Sequence, residues 1–254
     1  MAVEAVTDGA HGVNGRVDVL LERAPRSGAA EAFRSLRTSL QFLGPEKTAA
    51  VVVTSSAPAE GKTTTASNLA VALARVGRRV LLVDADLRRP SLHERFRLGR
   101  VQGLSHILAG QCGDDVAQES GVEGLDVLAS GVIPPNPAEL LSRPVFEEVL
   151  QRWRQRYEHV IFDSPPVLAV TDAVVLARRT RHVLLVTRAG TTRDRALRQA
   201  VGLLREAGAE ILGAVLNDQL ATQGDGYYAY YYQPRAGTAG AMDGADAGPS
   251  RGEG

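Results

Sequence analysis

Cysteine is almost absent from the 254-residue chain. Cys112 is the only one, which excludes a disulfide framework and any cysteine-based metal site within one chain. Long apolar runs are missing too: none approaches the ~18–20 residues needed to span a bilayer. The first residues, MAVEAVTDGAHG, have neither a basic n-region nor an apolar core, so no secretory signal is expected there. A cytoplasmic protein is the expectation, reaching the inner face of a membrane only through a partner and not by direct insertion. Acidic and basic residues balance at 29 each, so no nucleic-acid-coating surface is expected. Lysine is scarce: Lys47 and Lys62 are the only two, because arginine supplies nearly all the positive charge. Aromatic residues make up only 5% of the chain, which makes any cluster of them conspicuous.

The length suits one α/β domain with a substantial core. The stretch VVVTSSAPAEGKTTTASNL, from Val51 to Leu69, organises it. An apolar β-branched run reads as a buried parallel strand, and a helical pattern begins at Lys62. Between them lies a loop of small residues. This strand–loop–helix setting makes GKT a phosphate-loop motif. Ala59, Glu60 and Gly61 offer backbone N–H groups to a phosphate chain, and Lys62, Thr63 and Thr64 stand at the positive end of the helix. Lys62 adds charge near the β- and γ-phosphates, and the Thr63 hydroxyl can ligate Mg²⁺. Two positions depart from the usual pattern: Ser56 stands where the motif has Gly, and Ala59 occupies another common Gly position. Ala59 still supplies its N–H, so binding of ATP is expected to survive.

Three further strand ends carry chemistry. VLLVDADLRRP delivers Asp84 and Asp86 at the carboxyl end of a strand, where open α/β sheets bind ligands. At a spacing of two the carboxylates share a face, so a cation is expected between them. HVIFD ends in Asp163 and fits a Walker B strand, whose carboxylate holds Mg²⁺ through water. Asn217 closes the last apolar strand, placed either to meet a purine edge or to serve as an ordinary strand-end turn residue.

The remaining pattern sets the organisation. Residues 1–25 are polar and without period and read as a flexible N-terminal segment. An α/β domain follows over 26–220. A helix is expected over Arg26–Leu43, with Phe33, Leu36, Leu40 and Leu43 on its apolar face. Glu31, Arg34 and Arg37 form a ridge beside it, either a solvated face with local ion pairs or a subunit contact. Further helices are expected over about 62–76, 138–156 and 192–207, with strands at 125–129, 182–188 and 210–218. Strands alternating with helices give a doubly wound, mostly parallel sheet. Residues 221–254 are rich in Gly, Ala, Asp, Ser and Pro and read as a disordered tail. Within that tail, GYYAYYYQP holds five of the six tyrosines: Tyr227, Tyr228, Tyr230, Tyr231 and Tyr232. The segment has no helical period and no apolar flanks. It reads either as a sticky low-complexity tail or as a set of accessible phenol nucleophiles able to reach an active site.

In order along the chain, APAEGKTT, VLLVDADLR and VIFDSPP resemble the Walker A, A′ and B motifs of the bacterial tyrosine autokinases that control capsule and exopolysaccharide synthesis. EAFRSLR resembles that family's oligomerisation element, GVIPPNPAELL its middle segment, and the tyrosine cluster its acceptor tail. The resemblance covers about residues 26–232 and is to the separate cytoplasmic kinase subunit. It implies a deviant P-loop NTPase fold of the partitioning-ATPase-like class, with ATP and Mg²⁺. It also implies Lys62 on the phosphates, Thr63, Asp86 and Asp163 supporting the metal, and Asp84 taking or orienting the tyrosine proton. Asn217 would then touch the base, and Glu31, Arg34 and Arg37 would form ring contacts in a homo-oligomer. The implied partners are a membrane-embedded activator of the polysaccharide co-polymerase type and a cognate tyrosine phosphatase. The rivals are a partitioning or septum-positioning ATPase and an inactive ATP-binding scaffold. The first would carry a signature lysine where this chain has Ala57.

Overall fold

The computed structural model describes residues 2–5 and 19–218. The chain runs β1 (Ala2–Ala5), α1 (Leu20–Arg23), α2 (Gly28–Gln41), α3 (Pro45–Thr48), β2 (Ala50–Ser55), α4 (Lys62–Ala74) and β3 (Val80–Asp84). It continues through α5 (Leu92–Phe96), α6 (Leu104–Ala109), β4 (Gln118–Glu119), β5 (Leu125–Leu128), α7 (Pro137–Leu141) and α8 (Val145–Arg156). The last elements are β6 (His159–Asp163), α9 (Asp172–Thr180), β7 (His182–Arg188), α10 (Asp194–Glu206) and β8 (Glu210–Asn217).

The strands form one sheet in the order β1-β8-β7-β2-β6-β3-β5-β4, parallel except for the short β4 at one edge. Alternation along the central strands builds two cores. Val51, Val53, Val80 and Leu82 face a layer made by α1, α2, α4 and α5. Val52, Leu81 and Val83 face the opposite layer, where Trp153, Phe146 and Phe162 stack with ring centroids 5.8–6.2 Å apart. With both faces covered, β2, β3 and β6 are buried end to end, which explains their unbroken apolar runs. The sheet is therefore doubly wound, as the sequence pattern requires.

The topology places the ligand edge. From β2 the chain passes to β3 on one side, while β6 leads to β7 on the other, so the loop after β2 sits where the connections diverge. In parallel register Asp84 lies beside Asp163, and Arg188 beside Asn217, all at carboxyl ends.

Two expectations need revision, and one helix had none. Ahead of Arg26, Val19 and Leu21 are buried and α1 forms, with the Leu21 N–H donating to Asn68 Oδ1 at 3.0 Å; Ala2–Ala5 pairs in parallel with β8. A four-residue helix cannot display a period, so its burial against α4 is a purely tertiary effect. The helix expected over 138–156 is two, because Pro144 lacks an N–H and restarts the chain as α8. Helix α9 answers to no sequence expectation; it covers the sheet between β6 and β7. The tyrosine cluster and the tail lie outside the described residues.

Candidate active site

Helix α4 begins at Lys62 behind Gly61, which adopts a left-handed φ of 94°. Only glycine fits there: a Cβ would come within 1.9 Å of Asn217 Nδ2. Ala59 also has a positive φ, 62°, the conformation that explains the usual Gly at its position. Most of α4 is buried on all sides, between the sheet and α2, so its N-terminal N–H groups are held in a fixed direction.

Gly61, Lys62, Thr63 and Thr64 line a cleft of 330 Å³, closed by Ala59, Ser91, Arg95, Arg188 and Asn217. Lys62 Nζ stands 3.5 Å from Asp86 Oδ2. The other Asp86 oxygen accepts the N–H groups of Arg89 and Arg88 at 2.9 and 3.3 Å, which fixes the turn after β3. Asp84 is fully buried, and its Oδ2 accepts from Leu92 N at 2.9 Å and Ser91 N at 3.0 Å. It thereby anchors the start of α5, the helix that brings Arg95 to the cleft.

Burial dominates the electrostatics. It pushes the Asp84 carboxyl up to about 8, helped by the charges of Asp163 and Asp86 and opposed by the two N–H donors. Asp163 is pushed up to about 6, again mainly by burial; the Lys62 charge and the Thr63 hydroxyl pull the other way. Asp84 Oδ1 and both Asp163 oxygens are buried without a hydrogen-bond partner. These orphaned oxygens, those of Asp163 beside the Thr63 hydroxyl, fit a hydrated divalent cation. Among the described residues no three His, Cys, Asp or Glu side chains gather as a protein-only cage. The donor set therefore suits Mg²⁺ completed by water and phosphate.

Glu60 has a second part in the loop besides its backbone N–H. Its carboxylate does not line the cleft. It accepts from Ser56 Oγ at 3.0 Å, from Ala57 N at 2.9 Å and from the Thr192 hydroxyl. Ser56 thus has a use that Gly could not fill. Asn217 Nδ2 donates to Glu60 O at 3.1 Å, so this residue first of all ties β8 to the loop; its Oδ1 is unpartnered. The Glu31–Arg34–Arg37 ridge is partly local: Arg34 pairs with Glu31 at 2.7 Å, while Arg37 reaches Ala72 O at 3.4 Å and its Nε lacks a partner.

Sequence reasoning missed Arg188, Arg95 and Thr192. Arg188 ends an apolar strand, and the rule that singled out Asp84 and Asp163 could have found it. Arg95 lies in a five-residue helix without period, and Thr192 in a turn. Arg88 was also missed; it holds the buried Asp172 through bonds of 2.9 and 3.0 Å, joining the turn after β3 to α9.

A parallel sheet with a phosphate loop after a central strand and acidic ends on two neighbouring strands defines a P-loop nucleotide-binding domain. A family profile described as an AAA domain matches residues 51–190. The tyrosine-protein kinase YwqD of Bacillus subtilis is 39% identical over 216 residues, 84% of this chain and 91% of its own. The tyrosine-protein kinase Etk of Escherichia coli is 40% identical over 195 residues, 76% of this chain but only 27% of the relative's length. The solved kinase domain of Escherichia coli Etk superposes with a TM-score of 0.80 at 34% identity, covering 87% of this chain and 90% of that one. The septum site-determining protein MinD of Pyrococcus horikoshii, solved with Mg-ADP, gives 0.59 at 26% identity, over 69% of this chain and 72% of that one. The chain belongs to the bacterial tyrosine-protein kinase family.

Proposed function

We propose that the chain is an ATP-dependent protein tyrosine autokinase whose acceptors are Tyr227, Tyr228, Tyr230, Tyr231 and Tyr232 and whose activity regulates capsular or exopolysaccharide production. One observation carries the reading: Lys62, Thr63, Asp84, Asp86 and Asp163 converge around the phosphate loop. The nucleotide's phosphates would lie along the N–H groups of residues 59–64, with Lys62 against the β- and γ-phosphates. Bound Mg²⁺, held by Thr63 and supported by Asp86 and Asp163, would neutralise phosphate charge. A tyrosine oxygen attacks the γ-phosphorus, the new O–P bond forms, and the bond to the departing ADP breaks. The phenolic proton passes to a carboxylate. Asp84 is the candidate acceptor, ionised once a bound cation nearby lowers its raised pKa, since Oδ2 is committed to two N–H groups while Oδ1 is unmatched. Asn217 Oδ1 can accept from the adenine amino group.

Glu31, Arg34 and Arg37 are proposed to exchange their local partners for those of a neighbouring copy in a ring. A membrane-embedded activator and a cognate tyrosine phosphatase complete the proposed setting. Among the described residues no helix is long and apolar enough to cross a membrane. The partitioning-ATPase reading is the weaker one, since Ala57 replaces its signature lysine and Etk superposes better than MinD.

The test is phosphopeptide mass spectrometry of the tail from protein made in its native host, beside a Lys62→Met variant. Phosphate on Tyr227–Tyr232 that disappears in the variant is expected. A tail unmodified in both, even with the cytoplasmic part of a membrane activator added, would leave an ATP-binding scaffold as the better account.

A further inference from the structure

The phosphate loop cannot hold its shape unaided. Ala59 and Gly61 both take positive φ, and alanine there is strained. The bonds from Ser56 and Ala57 to the Glu60 carboxylate lie within the loop, so they fix its internal form but not its place on the sheet. Placement comes from the ends of β7 and β8. Asn217 Nδ2 reaches Glu60 O at 3.1 Å, and Arg188 Nη1 approaches Ala59 O at 3.4 Å. The third tie is the hydroxyl of Thr192, in the turn between β7 and α10, on the carboxylate of Glu60. Its direction is settled by chemistry. Thr192 Oγ1 accepts the Arg188 N–H at 2.7 Å, so its single proton is available to Glu60, which is 2% exposed. A hydrogen bond to a buried carboxylate is among the stronger kinds.

We propose that Thr192 is a positioning residue for the nucleotide phosphates: through Glu60 it holds the phosphate loop so that the loop N–H groups face the polyphosphate. The proposal rests on reading the cleft as a nucleotide site. Thr192 touches neither substrate nor metal. It acts across 132 positions of sequence by joining the β7–α10 turn to the loop after β2. Any movement of that turn is thereby transmitted to the phosphates.

The test uses the full chain and two variants, Thr192→Val and Thr192→Ser, titrated calorimetrically with Mg·ADP. Hydrogen exchange is followed in parallel at the amides of Ala57, Ala59, Glu60 and Gly61. Valine keeps the branched shape and removes the hydroxyl, so affinity should fall about tenfold. Serine restores the hydroxyl and should bind within about twofold of the parent. The loop amides should exchange faster in the valine variant while those of β2 and β6 are unchanged. Equal affinity of the valine variant and the parent would overturn the proposal, as would a serine variant no better than valine. So would accelerated exchange throughout the sheet, which would reveal a general loss of stability. A parent chain that binds no Mg·ADP would instead sink the nucleotide-site reading itself.

Discussion

Asp84 shows how much one carboxylate can depend on its surroundings. Its carboxyl would titrate near 3.8 in the unfolded chain and near 8 in the folded one. Between those values the native state binds more protons than the unfolded state, so stability falls as pH rises from about 4 to about 8. Asp84→Asn keeps an acceptor for the Ser91 and Leu92 N–H groups and cannot ionise. Without nucleotide, the variant should match the parent near pH 4 and exceed its Tm by roughly 5 °C at pH 8. Differential scanning fluorimetry across that range checks the trend; an offset independent of pH would contradict it. Phosphotransfer should be lost in the same variant. At this scale the sequence was most legible where chemistry and position coincide. Lys62, Thr63, Asp84, Asp86 and Asp163 could be found because each follows an apolar strand or opens a helix. The side-chain part played by Glu60 could not be read, because nothing local says that its carboxylate turns to a threonine far along the chain.

Among the elements, the turn after β3 bears on two neighbours at once. Asp84 and Asp86 accept its N–H groups, and Arg88 grips Asp172 at the start of α9. Asp172 is fully buried, whereas the Arg88 side chain is 40% exposed. Arg88→Ala would leave a buried carboxylate without its ion pair. Losing a wholly buried pair costs about 3–5 kcal/mol, and partial exposure of Arg88 lowers the expected loss to about 2 kcal/mol. Urea denaturation should show that drop, and a change under about 0.5 kcal/mol would mean that water replaces the guanidinium fully. The central strands were legible because burial on both faces leaves an apolar run that ends sharply at a carboxylate. The helices α1 and α9 were not, because four and nine residues give period little room and their burial comes from neighbours. Pro144 marks a break inside the amphipathic stretch 138–156 that helical periodicity alone does not show.

For the whole molecule, the cleft joins distant parts of the sheet, so occupancy should stabilise all of it. With Mg·ADP at a hundred times its Kd, linkage adds about 2.7 kcal/mol. For a chain of this size that corresponds to a rise in Tm of roughly 5–10 °C. EDTA should remove most of the gain; a Tm indifferent to Mg·ADP would speak against a nucleotide site in this cleft. The doubly wound architecture was legible from the alternation of strands and helices, while the strand order was not, since pairing of β2 with β6 and β7 is a long-range choice.

That long-range choice has a consequence for how the protein is made. Asn217, the last residue of β8, donates to Glu60, 157 positions earlier. A nascent chain that has released β2, the phosphate loop and α4 from the ribosome still lacks one wall of the cleft. It acquires that wall only when β8 has emerged and docked beside β7. Nucleotide capture is thus deferred until β8 has been made, and fragments truncated before β8 should bind nucleotide poorly.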